Sequence, residues 1–144
     1  RAGVQCELEE IEYNGKRSLA FVFNGNKIYF WDIASTGTKS LTLLYFWLQQ
    51  LKEKNLVSFV FIDEFDAFYH HELSELVVRE LKTVGAQVIL TTHNTSIMSN
   101  DLLRPDCYFL MKPDLIKPLN QCTDKELRLA HNLEKIYRAE GFHV

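Results

Sequence analysis

The sequence has few of the features that would place it at once in a metal-binding, membrane or nucleic-acid-binding class. Its three cysteines, Cys6, Cys107 and Cys122, are odd in number and widely spaced, with no CxxC pair. They argue against a zinc site and read as reduced thiols of a cytoplasmic protein. No stretch approaches the ~18 apolar residues that would span a bilayer, and the N-terminus lacks the apolar core of a signal peptide, so no membrane partner is expected. There is no basic excess: 16 Lys and Arg stand against 19 Asp and Glu, for a net charge of −3. A chain without a general basic field gives no indication of nucleic acid as a partner. Internal repeats, low-complexity tracts and long linkers are also absent.

What is present suits one folded domain, since 144 residues with 47% hydrophobic and 12% aromatic content can bury a core. The first residue is Arg, not Met, and the chain opens directly on strand-like sequence; the expectation is a piece of a longer protein. Residues 4–31 alternate like half-buried antiparallel strands, with turn signals at Asn14-Gly15 and Asn24-Gly25-Asn26, which predicts a meander of strands over 4–13, 18–23 and 27–31. Small hydroxyl residues at 34–38 precede a helical period, Leu41, Leu44, Tyr45, Leu48 and Leu51, predicting a helix over 38–53. The apolar run 57–62 reads as a strand covered on both faces, and 87–91 as a second one. Between them a helix is expected from Ala67 onward, with Leu73, Leu76, Val77 and Leu81 in register and Gly85 as its C-cap. That order is a βαβ unit with parallel pairing. Residues 107–111 are expected as a third such strand and 124–139 as a closing helix.

The chemical question lies in SFVFIDEFDAFYHHEL, residues 58–73, where an apolar run stops at Asp63 and Glu64 and a further acid follows at Asp66. In a parallel sheet, ligands collect beyond the carboxyl ends of the strands. Asp63 and Glu64 lie at that end of one strand, and Thr91, Thr92, His93 and Asn94 at that end of the next. Two neighbouring tips thus offer two acids and a histidine to one space. Taken singly, a solvated or capping acid and an ordinary loop histidine are the plain alternatives. His70-His71-Glu72 lacks the second histidine of an HExxH zinc site, Glu75-Leu76 standing in its place. Tyr45, Phe46 and Trp47 read as core or a subunit contact in preference to a stacking platform.

These residues resemble a known pattern. FVFIDE, residues 59–64, looks like the Walker B motif of P-loop ATPases; the Asp66 segment resembles a D-loop, Thr92-His93-Asn94 a switch-histidine loop, and Ser35-Thr36-Gly37-Thr38 the signature of ABC-type ATPases. The closing segment Asn132–Tyr137, with Gly141 soon after, is similar to that of OLD and abortive-infection ATPases, relatives of the SMC and recombination-repair ATPases. The resemblance implies an α/β fold, part of a three-layer P-loop NTPase-like parallel sheet, with residues 1–33 as an antiparallel β meander and 34–144 as the ATPase part. It implies ATP as substrate with Mg²⁺, Asp63 holding the metal through water, Glu64 polarising the attacking water and His93 donating to the γ-phosphate. It also implies that Ser35, Gly37, Thr38 and Asp66 close on the ATP of an opposite subunit in a homodimer, coupled to an effector nuclease or toxin in phage defence or DNA maintenance. No GxxxxGK[ST] stretch and no Q-loop occur. The Walker A half is therefore expected upstream, which makes this chain the C-terminal half of an ATPase head and inactive alone.

Two other readings compete. A metal-dependent nuclease could use Asp63, Glu64 and Asp66 directly on two metals, although Asp63 and Glu64 point to opposite sides if the strand persists through them. A non-catalytic interaction module is the third.

Overall fold

The computed structural model describes residues 7–54, 57–128 and 131–143. The chain divides into two compact units, Arg1–Val60 with Thr83–Gln87, and Phe61–Lys82 with Val88–Val144.

The first unit opens on the expected meander. Strands β1 (Glu7–Tyr13), β2 (Lys16–Phe23) and β3 (Asn26–Tyr29) pair antiparallel in that order; the expected first residues, 4–6, lie outside the described ones. Both hairpins turn on Asn-Gly, with Asn14 and Gly15 at φ 51° and 72° and Asn24 and Gly25 at φ 48° and 78°. That double positive φ is the type I′ geometry that matches strand twist. A short helix α1 (Phe30–Ile33), not foreseen from the sequence, follows β3. Phe30 stacks on Phe21 of β2 with ring centroids 5.1 Å apart, and with Ala34 these residues form the unit's core.

Helix α2 (Thr36–Lys54) starts two residues before the expected position. Ser35 caps it, its Oγ accepting a hydrogen bond from the Thr38 N–H at 3.1 Å. Leu48 is buried and Leu41, Leu44 and Leu51 are half-buried, as the period predicted, but Tyr45, Phe46 and Trp47 are exposed and contribute nothing to the core.

Strands β4 (Phe59–Ile62) and β5 (Gln87–Leu90) form a two-stranded sheet. The Gln87 N–H donates to Ser58 O at 2.9 Å and the Thr91 N–H to Ile62 O at 3.0 Å, so both strands advance together and the pair is parallel. The expectation that both are covered on two faces fails: Phe59, Phe61 and Ile89 are exposed and alternate with half-buried Val60, Ile62, Val88 and Leu90. An unbroken apolar run reports that both faces avoid water in the finished assembly, whereas this pair is covered on one.

In the second unit, α3 (His71–Leu81) buries Ser74, Val77, Val78 and Leu81. It begins at His71, not Ala67, because the chain from Asp63 to Phe68 runs in consecutive turns and His70 is extended at φ −81° and ψ 164°, the backbone conformation of an N-cap. It closes at Lys82 in right-handed geometry, so Gly85 is not its left-handed cap. Residues 107–111 are likewise not a third parallel strand. Strand β6 (Phe109–Lys112) turns at Pro113-Asp114 and pairs antiparallel with β7 (Leu115–Pro118), Met111 facing Ile116.

Of the expected closing helix 124–139, in which 129 and 130 lie outside the described residues, the helical part is α4 (Leu133–Arg138), capped by the Asn132 side chain, which accepts from the Lys135 N–H at 2.8 Å. At its far end Glu140 takes φ 54°, and the Glu140 and Gly141 amides bond to Tyr137 O and Ile136 O. This is a Schellman termination. Gly141 is required there for space, since a Cβ would lie 2.7 Å from Ile136 Cγ2. Leu119, Leu133 and Met98 form the core, with Tyr108, Leu110, Leu127 and Phe142 against it. No helix of the described residues is long and apolar enough to cross a membrane.

Tyr108 ties this core to the segment leading out of β5: its hydroxyl lies 2.8 Å from Ile97 O and 2.9 Å from Ser99 O and accepts from the Ser99 N–H at 3.1 Å. Replacing Tyr108 by Phe strands these groups and is expected to lower unfolding stability by about 1–2 kcal/mol. Burial pushes the Tyr108 hydroxyl above its usual range. A raised folded-state value means that its contribution is complete below the unfolded pKa near ~10 and is lost as pH rises through the folded one. Urea unfolding of both proteins from pH 8 to 11 checks this; their difference should shrink at the alkaline end.

Candidate functional site

The second unit holds the tips of β4 and β5, and two adjacent threonines organise them. Thr91 Oγ1 donates to Asp63 Oδ1 at 2.5 Å and accepts from the Glu64 N–H at 2.7 Å, while Thr91 O accepts from the Phe65 N–H at 3.1 Å. Three consecutive residues after β4 are therefore laced to one residue at the end of β5. The lacing holds Glu64 at φ 44°, a conformation that side-chain-bearing residues avoid.

The strand ends at Ile62, so the strand alternation that would send Asp63 and Glu64 to opposite sides does not apply. Glu64 instead meets the loop of the neighbouring tip: Glu64 Oε1 is 3.6 Å from His93 Nε2, with the side chains 59% and 93% exposed. An exposed pair of this kind is a weak interaction in water.

Thr92 serves the other acid. Its Oγ1 donates to Asp66 Oδ1 at 2.6 Å and accepts from the Asn94 N–H at 2.9 Å. Asp66, expected at a subunit seam, is buried and bonded within its own chain. Beyond Asn94, the loop closes on itself and on α3. Asn94 Oδ1 accepts from the Ser96 N–H at 3.0 Å, and Ser96 Oγ lies 2.9 Å from His71 Nδ1, whose Nε2 is 3.5 Å from Glu75 Oε1. A cavity of about 360 Å³ is lined by Glu64, Asp66, Ala67, Tyr69, His93 and Asn94.

The structure thus brings Glu64, Asp66 and His93 to one cavity, with Asp63 one residue before Glu64 and exposed. Ser35, Gly37 and Thr38 belong to the first unit, where Ser35 Oγ also lies 2.9 Å from Thr38 Oγ1. Sequence reasoning placed Thr91 and Thr92 at the strand tip without giving them a role, weighed His71 only as a zinc ligand, and did not name Ser96; the usable signal was a pair of hydroxyls at the end of an apolar strand facing two acids. Among the described residues, no three His, Cys, Asp or Glu side chains converge on a point that could hold a metal ion. Mg²⁺ bound through one carboxylate, water and substrate phosphates needs no such cage, and exposed Asp63 fits that more modest requirement.

Residues 17–99, more than half of the chain, match the family described as "AAA domain, putative AbiEii toxin, Type IV TA system". The matched span contains every residue of the site. No curated protein matches the chain.

The strain at Glu64 has a measurable consequence. Replacing Glu64 by Gly is expected to yield a protein about 1 kcal/mol more stable than the Glu64→Ala variant, because only glycine adopts this φ without steric cost. Chemical denaturation of the two variants checks it; equal stabilities would show that the turn relaxes when the side chain is removed.

Proposed function

The chain belongs to the AAA-domain family of nucleotide-binding ATPases, and on that premise we propose that it forms the water-activating part of an ATPase head, with Glu64 and His93 acting at the γ-phosphate of ATP. The observation that carries this is the meeting of a carboxylate and an imidazole, 3.6 Å apart and both open to solvent, at the ends of two neighbouring parallel strands. Phosphoryl transfer to water needs charge neutralisation, an oriented water and donors around the γ-phosphate. Glu64 accepts the hydrogen bond of the attacking water, and His93 donates to a γ-phosphate oxygen. Asp63, steadied through Oδ1 by Thr91, is the residue that would hold Mg²⁺, through water. The metal, when bound with the nucleotide, neutralises charge on its phosphate oxygens.

The phosphate cradle comes from sequence outside these residues, as no GxxxxGK[ST] occurs among them. The exposed strip of Phe59, Phe61 and Ile89 on the parallel pair suits a further layer of such a head. Ser35, Gly37 and Thr38 act as an ABC-type signature: the first-turn amides of α2 attract the phosphate of ATP held by a second copy. The family description names a toxin of a type IV toxin–antitoxin system, and on that wording we extend the proposal to a toxin effector; a nuclease effector, phage defence and a cytoplasmic setting belong to the same proposal. A two-metal nuclease is less well supported, because Asp63 and Asp66 are each bonded to a different threonine and Asp66 is buried.

In the protein that supplies the phosphate loop, Glu64→Gln should leave ATP binding intact and cut hydrolysis by about 10²-fold or more, trapping the ATP-bound dimer. Unchanged turnover with normal binding would remove Glu64 from the chemistry. The cross-subunit role of Ser35 has a separate check. A Ser35→Arg protein mixed with one carrying a broken phosphate loop should recover part of the activity, since one of the two composite sites in the mixed dimer is undamaged. Heterodimers that form without recovery would confine Ser35 to its own subunit.

A further inference from the structure

We propose that Asp66 is the positioning residue of the His93 loop, acting through the Thr92 hydroxyl. The His93 side chain is 93% exposed, so packing does not aim it. Its direction is set by the backbone on either side, and the hydrogen bond from the Asn94 N–H to Thr92 Oγ1 spans that backbone. A threonine hydroxyl has one proton and two lone pairs. For a lone pair to face the Asn94 N–H, the proton must point elsewhere, and Asp66 Oδ1, 2.6 Å away, is where it points. That length is typical of a hydroxyl donating to an ionised carboxylate, stronger than a neutral pair. The carboxylate therefore decides the hydroxyl's rotation, and the hydroxyl decides the turn that carries His93.

Asp66 is a rigid base for this relay. It is 8% exposed, follows buried Phe65, and its own carbonyl accepts from the Tyr69 N–H at 3.0 Å. Its second oxygen, Oδ2, is buried with no hydrogen-bond partner among the described residues. Burying a half-satisfied carboxylate is unfavourable; a residue kept only to close the turn would not need one. The arrangement mirrors that at the neighbouring residue, where Thr91 sets the backbone of Glu64. The two adjacent threonines thus fix the two members of the 3.6 Å pair, one by its own bonds and the other under the control of Asp66. The proposed ATPase chemistry enters only in what His93 is held for; the relay itself exists without nucleotide.

Amide hydrogen exchange measured by NMR on the nucleotide-free chain tests the relay whatever the chain hydrolyses. Thr92→Val and Asp66→Ala should each speed exchange of the Asn94 amide about tenfold, while the core amide of Val78 keeps its protection. Thr92→Ser, which retains the hydroxyl, and Asp66→Asn, whose carbonyl oxygen can still accept, should restore most of the Asn94 protection. The His93 backbone HN–Hα coupling should match that of the parent protein in these two rescuing variants and change in the other two. Unchanged Asn94 exchange in Thr92→Val overturns the proposal, and so does parallel loss at Asn94 and Val78, which would make Asp66 a general stabiliser. If Thr92→Val does not fold, Asp66→Ala against Asp66→Asn decides alone, equal Asn94 protection in the two being the overturning result.

Discussion

The hydrogen bond from the Thr91 N–H to Ile62 O fixes the relation between the two strand tips, and the geometry of the candidate site depends on that relation. A parallel pair brings both carboxyl ends to the same side, which an antiparallel pair of equal length would not do. Once Thr91 stands opposite Ile62, its hydroxyl reaches the turn that follows β4, and Thr92 reaches the acid two residues beyond Glu64. The acids and the histidine come from segments separated by 27 residues or so in sequence, as the Glu64–Thr91 bond marks. They are neighbours because one ladder bond sets the register and two β-branched side chains, common in strands for packing reasons, here also carry oxygen.

That register also explains why a strained residue persists. Glu64 holds φ 44° with its amide on Thr91 Oγ1 and the next amide on Thr91 O. A left-handed glutamate is unfavourable by itself, and it survives where the surroundings over-determine it. Glycine would make the same turn with less strain and would leave no carboxylate beside His93. Local rules are broken in folded proteins mostly where a site demands it, and in this chain the break falls on a residue of the weakly held, solvent-exposed pair.

Much of the fold was legible in the sequence because its signals were local. Asn14-Gly15 and Asn24-Gly25 dictate their own turns, and Leu41, Leu44, Leu48 and Leu51 mark one face of α2 at a helical period. The apolar run ending in Asp63-Glu64 marked the tip of β4, where the candidate site lies. What escaped depends on contacts that leave no local pattern. Strand β7, Leu-Ile-Lys-Pro, ends in a proline and is a strand only because β6 lies beside it. The closing helix was over-extended because the charged residues from Asp124 onward satisfy helical propensity, whereas the helix begins only after the Asn132 cap. The start of α3 was misplaced because nothing in Ala67-Phe68-Tyr69 declares that the chain stays out of the helix as far as the extended His70. Most instructive is Asp66, expected at a seam by analogy of position and found buried, its partner Thr92 lying 26 residues on. A side-chain hydrogen bond across that separation has no signature short of the structure itself.

The exposure of Glu64 and His93 bears on how such a site would work. In water, two side chains 3.6 Å apart and largely solvated interact feebly, because the solvent screens them and competes for the same hydrogen bonds. The same pair becomes effective when water is excluded, since fixed dipoles in a low-dielectric pocket stabilise developing charge that bulk solvent would otherwise solvate. The second unit orients its groups through Thr91 and Thr92 but leaves them open, and no cradle for phosphates lies in the sequence. In the proposed reading, orientation and binding are therefore divided: these strands hold the reacting groups in place beforehand, while closure over the bound nucleotide supplies the dry environment in which they act. On that reading, a head with an acid and a histidine so well placed and so poorly shielded hydrolyses little before a second surface covers the cavity.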